Sequence, residues 1–62
     1  MEKFDAVKSL KDTLLQKQDL VRRYQSFAGS IDDAEVSKMY KHFAEAEALH
    51  ASQIKEKLKN AR

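Results

Sequence analysis

The chain contains no proline and only one glycine, Gly29, which falls close to its midpoint. Proline and glycine are the residues that most often interrupt a helix. With one breaker in 62 residues, the chain is constrained to two long helices of nearly equal length. Alanine, leucine, lysine, glutamate and glutamine are frequent, and all are good helix formers. The spacing of apolar residues predicts a helix over 3–28, a loop over 29–32 and a second helix over 33–60. A connection this short forces the two helices to lie antiparallel. The expected fold class is all-α: an antiparallel two-helix hairpin forming a single unit over 1–62.

In the first helix, Val7, Leu10, Leu14, Val21, Tyr24 and Ala28 recur at steps of three and four. Leu15, Leu20 and Phe27 widen that stripe, and Phe4 extends it at the start. Ser9, Asp12 and Thr13 fall outside it and are expected to be wet. Glu2 and Asp5 suit the positive end of the helix dipole. At the break, Gly29 is expected to take the left-handed conformation that ends a helix. Asp32-x-x-Glu35 reads as an N-cap with its reciprocal acid, Ser30 being the alternative cap, and Ile31 is placed to staple onto Val36. In the second helix, Val36, Tyr40, Phe43, Glu47, His50, Ile54 and Leu58 share one face. Lys55, Lys57 and Lys59 complement the negative end of that helix, and the last residues, 60–62, are expected to fray.

Two helices cannot cover their own apolar faces when each stripe is wider than one neighbour can hide. Chains this short bury little and often need disulfides, metal or oligomerisation. There is no cysteine, so disulfides and thiolate metal sites are excluded. Two hairpins docked face to face would form a four-helix bundle. The expected partner is therefore a second copy, in a two-fold homodimer. Its core is expected to contain Val7, Leu14, Val21, Val36, Phe43 and Ile54.

The apolar stripe of the second helix is interrupted by Glu47-x-x-His50. Residues three apart on a helix are neighbours, so the carboxylate and the imidazole lie side by side where burial is expected. Leaving them unpaired there would cost several kcal/mol, roughly. Residue 47 lies near the middle of the second helix, so a dimer would gather two carboxylates and two imidazoles in one layer. That donor set suits zinc, iron or manganese.

Phe43-Ala44-Glu45-Ala46-Glu47-Ala48-Leu49-His50-Ala51 resembles the second helix of the ferritin-like superfamily, rubrerythrins in particular. Leu20-Val21-x-x-Tyr24 is similar to the preceding helix of rubrerythrins and of the small spore coat F relatives. The resemblance covers both helices and implies half of a ferritin-like four-helix bundle. In that family Glu-x-x-His supplies a bridging carboxylate and an imidazole to a di-iron site, which the resemblance assigns to Glu47 and His50. The family's helix-one glutamate falls on Lys17 here, flanked by Gln16 and Gln18. A lysine at that level repels cations and could pair with Glu47.

Two readings of Glu47 and His50 therefore stand. One makes them metal ligands, with Lys17, Gln18, Tyr24 and Tyr40 as surrounding or competing groups. The other makes them a polar layer that sets bundle register, with Lys17 as the partner of Glu47. Met39 reads as gap filler and His42 as a surface residue. Lys38, Lys41, Arg22 and Arg23 read as solvated faces, with Arg22-Arg23 the one candidate anion patch. Ser26 and Ser52 lie on polar or flanking positions, so nucleophilic catalysis has no support.

The charge balance is 12 basic against 10 acidic residues, net +2, interspersed along the chain. This describes a solvated surface rather than a nucleic-acid-binding tail, despite a pI near 9.0. No run is long or apolar enough to span a bilayer, and the order of a signal peptide is missing, so a cytoplasmic location is the expectation. The first functional expectation is a structural or assembly module without redox activity of its own. The second is a metal-binding, rubrerythrin-like protein using Glu47 and His50 of both chains, with oxidase or peroxidase chemistry only by family analogy. The third, a nucleic-acid-binding helical dimer, ranks last because the aromatics fall on the apolar stripes.

Overall fold

The computed structural model describes residues 5–60. It contains two helices, α1 (Ala6–Ser30) and α2 (Ala34–Asn60), and no strand among the described residues. The readings placed on Glu2, Phe4, Ala61 and Arg62 lie outside that range.

Helix α1 begins one residue after Asp5, which is an N-cap rather than a residue of the first turn. Asp5 is extended (φ −75°, ψ 117°), and its Oδ1 accepts from the Val7 N–H at 2.9 Å and the Lys8 N–H at 3.3 Å. These bonds satisfy donors that the first helical turn leaves free.

The end of α1 corrects the reading of Gly29. No glycine has a positive φ, and the helix runs through Gly29 to Ser30. The stop is Ile31, extended at φ −93° and ψ 129°, whose N–H still donates to the Phe27 carbonyl at 3.1 Å. The Ser30 hydroxyl donates to the Ser26 carbonyl at 2.9 Å, so Ser30 closes α1 instead of capping α2. A Cβ added at Gly29 would meet nothing within 4 Å. Gly29→Ala should therefore stabilise the hairpin by about 0.5–1 kcal/mol, through a less flexible unfolded chain and a better helix former. A urea melt showing destabilisation would require the left-handed conformation that the backbone does not have.

The cap of α2 is Asp33, one residue later than expected. Its Oδ1 accepts from the Glu35 N–H at 2.9 Å and the Val36 N–H at 3.1 Å. Glu35 is then the second helical residue, so the Asp32–Glu35 reciprocal box does not form. The same shift removes Ile31 and Val36 from the spacing a staple needs. The loop shrinks to Ile31, Asp32 and Asp33.

Rows of residues seven apart explain how the helices meet. Val7, Leu14, Val21 and Ala28 of α1 lie level with Leu58, Ala51, Ala44 and Ser37 of α2. Ala28, Ala44 and Ala51 are the buried residues of this seam, at 8%, 5% and 6% exposure. Small side chains opposite larger ones bring the helix axes close. The Ser37 hydroxyl crosses the seam and donates to the Ala28 carbonyl at 2.6 Å. That carbonyl lies in the last turn of α1, where helical partners run out. Ser37→Ala should cost about 1–2 kcal/mol in a urea melt, because the acceptor is part-buried.

The hairpin is a slab one helix thick. Its Cα extents are 46 × 26 × 13 Å, and its radius of gyration is 14.6 Å. A compact domain of this length would have roughly 10–11 Å. Both broad faces are therefore uncovered, and no large side chain is fully buried among the described residues.

Candidate functional site

One broad face carries the chemistry. It is built from residues one step around each helix from the seam, where the antiparallel register brings a second row level. Leu10, Lys17 and Tyr24 of α1 lie opposite Ile54, Glu47 and Tyr40 of α2. The outer flank of the face carries Thr13, Leu20 and Phe27 on α1 and His50, Phe43 and Val36 on α2.

The half of this face nearer the turn is aromatic. Tyr24 and Phe27 on α1 meet Tyr40 and Phe43 on α2. Ring centroids lie 5.8 Å apart for Tyr24–Tyr40, 5.7 Å for Tyr24–Phe43, 5.2 Å for Phe27–Tyr40 and 5.8 Å for Tyr40–Phe43. The last pair is edge-on at 89°. These are the separations at which aromatic pairs attract beyond simple burial. Yet Phe27 remains 45% exposed, Phe43 43% and the flanking Met39 52%. Phe27 looked like a stripe-widening residue in the sequence. Its membership of the cluster follows once Tyr24–Phe27 is set against Tyr40–Phe43 in an antiparallel register.

Next to the cluster, at the middle of both helices, is a charged layer. Lys17 Nζ lies 2.9 Å from Glu47 Oε1, with the side chains 27% and 15% exposed. The distance is short, but the approach is off the direction a hydrogen bond needs. Oε1 is shut off from water and has no well-directed donor. His50 Nδ1 lies 3.5 Å from the same oxygen, and its side chain is 47% exposed. The close Lys17 ammonium holds the Glu47 carboxyl below its ordinary pKa, burial opposes that shift, and His50 adds a smaller lowering effect.

The remaining expected site residues separate. Tyr24 and Tyr40 belong to the aromatic cluster, and neither hydroxyl donates to Glu47 Oε1. Gln18 is one helical step beyond Lys17 and lines the opposite groove with Val21, Arg22, Ser52 and Lys55, a cavity of about 480 Å³. Leu14 and Val21 are half-buried along the seam that Ala44 and Ala51 form, whereas Val7 is 37% exposed. Val36, Phe43 and Ile54 lie on the open face. Thr13 is half-buried beside this layer rather than wet, whereas Ser9 and Asp12 are exposed. Leu15, 66% exposed, is on the far side of α1 and does not widen the stripe. Arg22 and Arg23 are engaged by Asp19, at 3.5 Å and 2.8 Å, and so form no vacant anion patch.

Among the described residues, no group of three or more His, Cys, Asp or Glu side chains is placed to hold a metal ion. No helix among them is long and apolar enough to cross a membrane. Comparison with protein-family models, curated proteins and solved structures finds no match to this chain.

Proposed function

We propose that this chain is a self-associating helical hairpin, a structural or assembly module whose working form is a homodimeric four-helix bundle of ferritin-like shape. One observation carries the reading: Phe27, Phe43 and Met39 stand 43–52% exposed on one face of a slab that has no fully buried large side chain among the described residues. Exposed apolar surface of this kind marks an interaction site. The extents of the slab give a broad face of about 1,200 Å², against roughly 800 Å² per partner in a typical stable interface. A second copy supplies the same apolar stripe in return, as a two-fold contact requires. The opposite face sets Gln18, Arg22, Gln25, Lys41 and Lys55 around Val21 and the small Ala44, Ala48 and Ala51, and among the described residues the exposed phenylalanines, Phe27 and Phe43, are on the other face.

Sedimentation equilibrium over a range of concentrations tests this. The expected species has twice the 7.2 kDa chain mass, with dissociation accompanied by loss of helix. A chain that stays fully helical at 7.2 kDa under all conditions would overturn the reading.

Metal binding is the second reading, favoured by the convergence of His50 Nδ1 and Glu47 Oε1 at 3.5 Å. A second copy would add another carboxylate and imidazole to the layer. Lys17 competes for the same oxygen. Metal analysis of untagged protein separates the two readings. Stoichiometric iron, manganese or zinc that disappears in His50→Ala would transfer the assignment to metal binding.

A further inference from the structure

Two hairpins can dock through their open faces in two ways. With turns at the same end, α1 lies on the partner's α2. With turns at opposite ends, α1 lies on the partner's α1. The charged layer distinguishes them, because Lys17 and Glu47 lie at the middle of both helices and meet their copies in either case.

With turns at opposite ends, a central Lys17 faces the partner's Lys17, and Glu47 faces the partner's Glu47. Glu47 Oε1 is already shut off from water in the single hairpin. At an effective dielectric suited to such a site, like charges repel about four times more strongly than in bulk water at equal distance. Sliding the copies by seven residues, about 10 Å, would avoid this contact. It would also leave one end of each open face without cover, either Leu10 and Ile54 or the aromatic cluster.

With turns at the same end, α1 runs antiparallel to the partner's α2, the relation that already holds inside the hairpin. The internal register then repeats across the contact. Leu20 comes level with the partner's Phe43 and Phe27 with the partner's Val36, so larger groups meet smaller ones on the outer rows, and on the inner row Leu10 comes level with the partner's Ile54. Lys17 comes level with the partner's Glu47. The opposing term is the approach of Asp32, Asp33 and Glu35 to their copies. These are exposed, and salt screens exposed charges beyond about 8 Å.

We infer that the hairpins dock with their turns at the same end, so that Lys17 and Glu47 of the two copies alternate around one closed, neutral four-charge layer. The second copy completes the layer by setting a second ammonium beside the Glu47 carboxylate, whose side chain keeps 15% exposure although Oε1 is enclosed within the hairpin. The inference rests on the self-association reading above.

The chain has no cysteine, so single nitroxide labels at Ala46→Cys and at Lys57→Cys report the docking by dipolar spectroscopy. Both positions are exposed. Residue 46 is beside the central layer and gives a short distance in either docking. Residue 57 is ten residues away. Its copies would be roughly 30 Å apart with turns at opposite ends, and within roughly 20 Å with turns at the same end, given helix spacings of 8–10 Å. Short distances at both positions are expected. A short distance at 46 with a long one at 57 overturns the docking and leaves the dimer standing. No coupling at either position, with a monomer mass, overturns self-association and this inference with it.

A second measurement reads the layer directly. Lys17→Glu and Glu47→Lys should each weaken self-association roughly 100-fold or more. Mixed in equal amounts, the two variants should form a heterodimer within about tenfold of wild-type affinity. Absence of that rescue would show that the two layers do not touch.

Discussion

Phe43→Ala should weaken self-association by about 3–5 kcal/mol, the range for truncating a phenylalanine that is fully buried. That corresponds to a rise in the dissociation constant of roughly three orders of magnitude. In the single hairpin Phe43 is 43% exposed although it packs on Tyr24 and Tyr40. The exposed part is what a second copy would cover. Truncation removes that contact and also the edge-on support of Tyr40, so the aromatic cluster loosens on both sides of the interface. The control is Leu49→Ala. Leu49 is 59% exposed but faces away from the charged and aromatic rows, so its truncation should change affinity by less than about 0.5 kcal/mol. Equal losses from the two substitutions, measured by sedimentation, would mean that the wrong face has been assigned.

Lys17→Met should cost about 1–3 kcal/mol of hairpin stability. This is less than the 3–5 kcal/mol of a fully buried pair, because water still reaches part of both side chains. The variant leaves Glu47 Oε1 enclosed with only His50 nearby, at 3.5 Å. The double variant Lys17→Met, Glu47→Leu removes both charges and should recover the loss, and should match or exceed the parent in stability if the layer serves orientation rather than stability. A double variant as unstable as the single one would show that the layer does more than balance charge. The sign of the pH dependence follows from the lowered pKa of Glu47. A carboxyl held below its unfolded value contributes stability above that value, about 4.3. It loses that contribution as pH falls through the folded value. Wild type should therefore weaken as pH drops below about 4.3, and the double variant should lack that component in acid melts.

The candidate site was only partly legible in the residue order. The Glu47-x-x-His50 pair and the stripe around it follow from helical spacing, whereas Lys17 was set at the level of Glu47 only by the resemblance to ferritin-like helices. Gln18 could not be placed from one helix alone. It adjoins Lys17 in the chain but lies on the other side of the seam, and the seam is set by where Ala44 and Ala51 allow the helices to approach. Ser37 gave no signal at all, since its role depends on the Ala28 carbonyl across the turn. Gly29 misled for a physical reason. Glycine permits a left-handed stop without compelling one, and here the extended Ile31 ends α1 while Asp33 starts α2.

The number of helices, their near-equal length, their antiparallel course and the presence of charge within an apolar stripe were determined by the sequence by itself. They depend on local hydrogen bonding, breaker residues and a period of 3.6, all of which act over a few neighbouring residues. The tertiary structure alone decided which row forms the seam and which face stays open. It also joined Lys17 to Glu47 and assembled four rings from two helices into one cluster. Those outcomes depend on how closely two helices approach, which small residues set only when they meet across the contact.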